Sequence, residues 1–122
     1  MRKYLGRVVA AAAVGGCLLA AAVAFGSSSN ISIQAINHDG PNARFKGAVT
    51  STDSACKKDV KVTLYHDPPG APRGFHVADT VRTDRHGKWA VHYGDRIPRG
   101  KYYASTGGGS CPLAKTTKVK ID

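Results

Sequence analysis

The feature that most constrains the fold of this chain is an alternation of apolar and polar side chains with a period of two residues. In the segment 60–65, valine or leucine at the even positions alternates with lysine, threonine and tyrosine at the odd positions. Successive side chains of a strand point to opposite faces, so this segment predicts a half-buried strand. Weaker patterns of the same kind, or β-prone composition, occur at 31–35, 44–50, 75–81, 89–93, 101–106 and 117–121.

The residues between these segments favour turns, and nothing after residue 25 has a helical period. The loop 67–74 contains three prolines and two glycines, and Gly107–Gly109 predicts a flexible loop. In the segment 83–89 we expect a tight hairpin, in which Asp84 accepts hydrogen bonds from backbone amides and Gly87 takes a positive φ. Asp79 breaks its pattern and predicts a bulge or an edge strand. All eight acidic residues are Asp, and the absence of Glu also disfavours helices.

Short strands separated by turns at this spacing predict an all-β fold, an antiparallel β-sandwich of about seven strands. Six strands are well defined by the pattern, and the segment 31–35 supplies a possible seventh. The expected core consists of Phe45, Val49, Val60, Val62, Leu64, Val81, Trp89 and Val91.

The first 25 residues have the layout of a secretory signal peptide. Arg2, Lys3 and Arg7 precede an apolar run from 8 to 25, and Ala22-Val23-Ala24 has the small-residue pattern that signal peptidase cleaves. The division expected is therefore a signal peptide at 1–24, a flexible arm or edge strand at 25–41 and the sandwich domain at 42–122. An uncleaved anchor and lipidation of Cys17 are the alternatives, and the anchor would also leave the domain outside the cell.

Removal of the leader leaves two cysteines, Cys56 and Cys111. Oxidising compartments favour disulfides, and a domain of this size has a modest core, so we expect the two cysteines to be paired. Two separate buried thiols are the alternative.

Four segments resemble the prealbumin-like sandwich of carboxypeptidase-regulatory-like and Cna-B-like domains, as found in small secreted actinobacterial proteins. They are Phe45-Lys46-Gly47-Ala48-Val49, the segment 60–65, the hairpin 83–89 and Arg99-Gly100-Lys101-Tyr102-Tyr103-Ala104. The resemblance covers about 43–121 and implies an exported β-sandwich whose cysteines tie an early loop to the last strand. It implies no defined activity.

The polar residues show no arrangement typical of a catalytic or metal site. The five histidines lack close ligand spacing, no nucleophile elbow or ordered triad is present, and no acidic run resembles a calcium loop. We therefore expect no catalytic residues, no metal and no cofactor, and predict that the protein is not an enzyme.

The surplus of positive charge is the feature with the most direct implication for binding. The chain has 18 basic and eight acidic residues, a formal net charge of +10. Salt screens an exposed charge over about 8 Å, so only clustered cations are expected to matter for binding. The candidate contact residues are Lys57, Lys58, Lys61, Arg82, Arg85, Lys88, Arg96, Arg99, Lys101, Lys118 and Lys120.

These charges predict a secreted, non-enzymatic module that adheres to an anionic cell-envelope polymer or to a partner protein. The alternative is a structural or signalling protein that acts through a protein interface, with incidental basic charge. Purposeful nucleic acid binding is not expected, because Tyr65, Tyr102 and Tyr103 are assigned to strand packing rather than to base stacking.

Overall fold

The structure is a computed structural model that describes residues 28–70 and 74–122. The predicted signal peptide, its cleavage site and Cys17 lie outside the described residues. Within these residues the regular structure consists of nine strands and one 3₁₀ turn, at Ser54–Cys56. The strands are β1 (Ser29–Ile31), β2 (Gln34–Ile36), β3 (Ala43–Ser51), β4 (Lys61–Asp67), β5 (His76–Arg82), β6 (Lys88–Gly94), β7 (Gly100–Gly108), β8 (Cys111–Lys115) and β9 (Val119–Ile121).

The strands form two antiparallel sheets, which confirms the all-β sandwich. Sheet A has five strands in the order β5-β4-β7, and both β8 and β9 pair with the other edge of β7. Sheet B has four strands: β6 pairs with one edge of β3, and β1 and β2 pair with its other edge. The two nine-residue strands, β3 and β7, therefore organise the two layers.

Two strands were not expected as separate elements. The segment 31–35 is divided, because Ser32 and Ile33 lie outside β1 and β2, although the Ser32 amide still donates to the Ala48 carbonyl of β3 at 2.9 Å. The stretch Gly107–Gly109, expected to be a flexible loop, instead completes β7 and turns into β8. A Cβ atom at Gly107 would collide with the backbone of Pro112 and Leu113, so glycine permits this close pairing.

The core lies between the sheets and is built from the inward side chains of both. Phe45 of β3 packs on Tyr102 of β7 with ring centroids 4.6 Å apart, and Trp89 is 3% exposed. Six of the eight predicted core residues are buried, whereas Val60 and Val81 are only partly buried against the cluster. The buried residues not foreseen are Ala43, Ile97, Tyr102, Ala104 and Ile121.

The hairpin between β5 and β6 has the expected chemistry. Asp84 Oδ1 accepts hydrogen bonds from the amides of His86 and Lys88, at 2.8 and 2.9 Å, and Gly87 has φ 83°. These amide donors lower the pKa of Asp84 below its ordinary value of 3.8, and the Lys88 amide has the largest effect.

A bulge also lies where Asp79 predicted one. Leu64 is opposite Asp79 and Tyr65 is opposite Val77, so Ala78 has no partner residue in β4. This extra residue bends β5, which is the edge strand of sheet A.

A disulfide joins Cys56 of the 3₁₀ turn to Cys111, with the Cα atoms 5.5 Å apart, and this confirms the predicted pairing. Cys111 begins β8, so the bridge reaches the penultimate strand rather than the last strand implied by the family resemblance. Within residues 28–70 and 74–122, no helix has the length and hydropathy needed to cross a membrane.

Candidate functional site: an aromatic and basic sheet face

The outer face of sheet A carries aromatic side chains that do not belong to the core. Tyr65 and Tyr103 are directly opposite each other on β4 and β7. Both are half-buried, because alternation points them away from the core while Leu64 and Tyr102 point inward. The two rings stack with centroids 4.7 Å apart and planes 16° apart.

Phe75 adds a third ring to this face from the residue just before β5. Its ring meets Tyr103 edge-on, with centroids 4.9 Å apart and an angle of 71°. Val77 lies opposite Tyr65 and is 56% exposed. The aromatic cluster formed by Tyr65, Phe75 and Tyr103 is thus a small apolar patch on a surface otherwise dominated by polar side chains.

Basic side chains surround this aromatic cluster. The strand registers and alternation place six of them on the outer face of sheet A: Lys61, Arg82, Lys101, Lys115, Lys118 and Lys120. The Nζ atom of Lys115 is 5.9 Å from the centre of the Tyr103 ring. That of Lys118 is 5.6 Å from the centre of the Phe75 ring. Both distances are within the range of cation–π attraction.

The two cations nearest the rings have no acidic partner, and neither do Lys61 and Lys101 within the described residues. Arg82 lies 3.8 Å from the carboxylate of Asp59, and Lys120 lies 3.5 Å from that of Asp122. Lys115 and Lys118 make no ion pair within the part of the chain that the structure describes. Positive charge therefore stays uncompensated beside the aromatic rings.

A concave site of about 440 Å³ opens between the rings and these two lysines. Phe75, Tyr103, Lys115 and Lys118 line it, together with Thr116 and Thr117. Cavities of roughly 300–1,000 Å³ accommodate small organic ligands. A ligand here would meet aromatic surface, two threonines and two ammonium groups, which together suit a flat ring that bears negative charge.

The structure brings together only part of the predicted basic set. Lys61, Arg82, Lys101, Lys118 and Lys120 share the outer face of sheet A. The other six lie elsewhere: Lys57 and Lys58 follow the 3₁₀ turn, Arg85 lies in the turn between β5 and β6, Lys88 begins β6, and Arg96 and Arg99 lie in the loop before β7. No finding tests a binding role for any of them, so these roles stay predictions.

Sequence reasoning missed four residues of this site: Tyr65, Tyr103, Phe75 and Lys115. The two tyrosines were assigned to strand packing, but of the three tyrosines in that assignment only Tyr102 is in the core. Burial raises the pKa of Tyr102 far above the ordinary value, and its hydroxyl donates a hydrogen bond of 2.6 Å to the Pro98 carbonyl. Tyr65 and Tyr103 pack against each other on the outer face instead, and the expectation that the protein does not bind nucleic acid stays a prediction.

The histidines do not form a second centre. His66 stacks on Tyr102 with ring centroids 4.3 Å apart, and its Nε2 lies 2.8 Å from the Arg99 carbonyl oxygen. His76 is its nearest histidine, with a ring centroid distance of 5.7 Å. Across residues 28–70 and 74–122, no three His, Cys, Asp or Glu side chains lie together as metal ligands would.

No protein-family model matches the sequence, and neither does any curated protein. Among solved structures, the chain is similar to the superoxide reductase (neelaredoxin) from Ignicoccus hospitalis. The two are 14% identical, with a TM-score of 0.52, over 79% of this chain and 83% of that chain. The resemblance to prealbumin-like domains stays a prediction, because none of these comparisons tests it.

This comparison contradicts the function predicted from the sequence. A non-enzymatic adhesion module was expected, whereas the solved neighbour is named for an enzymatic redox activity. No finding supports the expectation that the chain is not an enzyme.

A redox activity centred on a metal does not fit the described residues, however. Metal centres in proteins are held by clustered His, Cys or carboxylate side chains, and the described part of the chain contains no such cluster. Its two cysteines are joined in the disulfide. At 14% identity, the likeness shows a shared fold alone and carries no activity over to this chain.

Proposed function

We propose that this protein is an extracellular binding domain whose ligand is a small anion that carries a planar ring. The observation that carries the proposal is the concave site on sheet A, where Lys115 and Lys118 lie over the Tyr103 and Phe75 rings. The signal-peptide pattern and the Cys56–Cys111 disulfide support the extracellular location.

The two halves of the site make different contributions to affinity. Stacking of a ring on an aromatic side chain contributes about 1–3 kcal/mol. An exposed charge pair contributes less, about 0.2–1 kcal/mol, and salt screens it. The aromatic residues are therefore expected to supply most of the affinity, and the lysines to select for negative charge.

Calorimetric titration with three related probes tests this division. Adenosine 5′-monophosphate has both a planar base and a phosphate, adenosine lacks the charge, and ribose 5-phosphate lacks the base. We expect the monophosphate to bind about tenfold more tightly than ribose 5-phosphate, because stacking is lost with the base. Its advantage over adenosine should be smaller and should shrink as salt is added.

Two matched double variants locate the binding. Lys115→Gln with Lys118→Gln should weaken the monophosphate about fivefold to tenfold, since two charge contacts are lost. Lys57→Gln with Lys58→Gln removes the same charge from a remote turn and should change affinity little. Equal losses in both variants, or equal binding of the monophosphate and ribose 5-phosphate, would show that the protein merely attracts anions.

A further inference from the structure

The outer face of sheet B contains a second concave region, separate from the aromatic cluster. It is a cleft of about 800 Å³ above β3 and β6. The strand register places Lys46 opposite Ala90, and Ala48 opposite Lys88. The two lysines are therefore diagonal neighbours on one face, and the two alanines fill the other diagonal.

This arrangement puts like charges close together with little side-chain bulk between them. Diagonal neighbours on an antiparallel pair have Cα atoms about 7–8 Å apart. Lys46 and Lys88 are both exposed, and neither makes an ion pair within residues 28–70 and 74–122. Like charges in this position repel each other, and a bound anion would remove that repulsion.

The other charged groups that line the cleft leave an excess of positive charge. Arg44 lies next to Lys46 on the same face and adds a third positive charge, while its Nη1 donates to the Asn42 carbonyl. Asp84 is at the end of the cleft, where its carboxylate attracts Lys88 and also accepts hydrogen bonds from two amides of its own hairpin, and it is the one acidic residue among those that line the cleft. Positive charge therefore exceeds negative charge along the whole cleft.

We propose that this cleft binds a small multivalent oxyanion, a phosphate or phosphate ester, between Lys46 and Lys88 above Ala48 and Ala90. The small methyl groups leave room for the oxyanion to approach both ammonium groups. Gln34 lines the same cleft and offers a side-chain amide, whereas the Ser32 hydroxyl is bonded to the backbone of Ala48. This site shares neither lysine with the site proposed on sheet A, so the two proposals stand or fall separately.

The chain contains a single tryptophan, Trp89, and it lines this cleft. Its side chain is 3% exposed and belongs to the core, while its backbone lies in β6 between Lys88 and Ala90, so its emission senses binding in the cleft through β6. Titration of the purified protein with inorganic phosphate should give a saturable change in Trp89 emission. Chloride at the same ionic strength should give none.

Variants and a second readout complete the test. Lys46→Gln and Lys88→Gln should each weaken phosphate binding about fivefold, whereas Lys115→Gln with Lys118→Gln should leave it unchanged. Broadening of the phosphorus NMR signal by the protein measures the same binding if the emission is insensitive. Ribose 5-phosphate distinguishes a phosphate ester from free phosphate as the ligand. If it binds more tightly than inorganic phosphate, the ligand is an ester, and if it binds more weakly, the ligand is the free anion. Absence of broadening, or equal binding by wild type, Lys46→Gln and Lys88→Gln, would overturn the proposal.

Discussion

Gly47 and Trp89 face each other across β3 and β6, and the indole occupies the space that a side chain at Gly47 would need. A Cβ atom at Gly47 would lie 2.8 Å from Trp89 Nε1 and would collide with the carbonyl of Ser32. The absence of a side chain at Gly47 therefore allows both the indole and the chain between β1 and β2 to pack against β3.

Gly47→Ala should accordingly destabilise the fold by about 1–3 kcal/mol, as overpacking of a filled site does. Gly40→Ala is the matched control, because a Cβ atom there has no neighbour within 4 Å. Urea unfolding of the two variants measures the difference. Equal stabilities would mean that the Ser32 segment is not fixed against β3.

Trp89→Ala should lower the free energy of unfolding by about 3–5 kcal/mol, because it empties the space of a side chain that is 3% exposed. Leu113→Ala removes a side chain that is 84% exposed and should change stability by less than about 0.5 kcal/mol. Thermal unfolding followed by far-ultraviolet circular dichroism compares them. A loss below 1 kcal/mol for the tryptophan variant, on the order seen at surface sites, would contradict its burial.

Replacement of Cys56 and Cys111 by serine should cost about 4 kcal/mol, since the bridge closes a loop with a sequence separation of 55. The reduced wild-type protein should unfold at the same denaturant concentration as the double variant. A stable double variant with an unchanged midpoint would show that the turn at Ser54–Cys56 holds to β8 without the bridge.

The hydrogen bonds to Asp84 make the hairpin sensitive to acid. The pKa of Asp84 is lowered in the folded protein by the amides of Lys88 and His86, so the ionised carboxylate stabilises the fold above pH 3.8. That contribution disappears as the pH falls below 3.8 through the lower pKa of the folded state.

Asp84→Asn should therefore reduce the melting temperature at neutral pH and flatten its dependence on pH in the acid range. Asp95→Asn is the control, because Asp95 makes no hydrogen bond or ion pair from its side chain within the described residues. Melting temperatures measured across the acid range test this prediction. If the melting temperatures of wild type and Asp84→Asn fall in parallel with pH, Asp84 does not cause the acid sensitivity.

Local patterns in the sequence predict much of this fold because a strand needs only its own neighbours to alternate. The alternation in segment 60–65 shows which residues of β4 face inward. The side chain of Asp84 and the positive φ of Gly87 define the hairpin between β5 and β6. The same alternation also places Tyr65 on the side of Lys61, away from the core. The outward position of this tyrosine could therefore have been found from the sequence.

The rest of the candidate site depends on contacts between distant segments. Phe75 reaches Tyr103 only through the path of the chain before β5, and Lys115 joins the face because β8 pairs with β7. Similarly, Lys46 and Lys88 become neighbours through the register of β3 with β6. No local pattern contains such registers, since pairing partners are chosen by the packing of the whole sandwich.

The bulge in β5 has a consequence for how copies of this protein meet one another. A regular edge strand offers a row of free amides on which a neighbouring molecule can extend the sheet. Here Ala78 interrupts the ladder, and the Thr80 amide is already occupied by the carboxylate of Asp79 at 2.8 Å. An incoming strand would have to displace that carboxylate. The β5 edge of sheet A therefore disfavours edge-to-edge pairing with a second molecule.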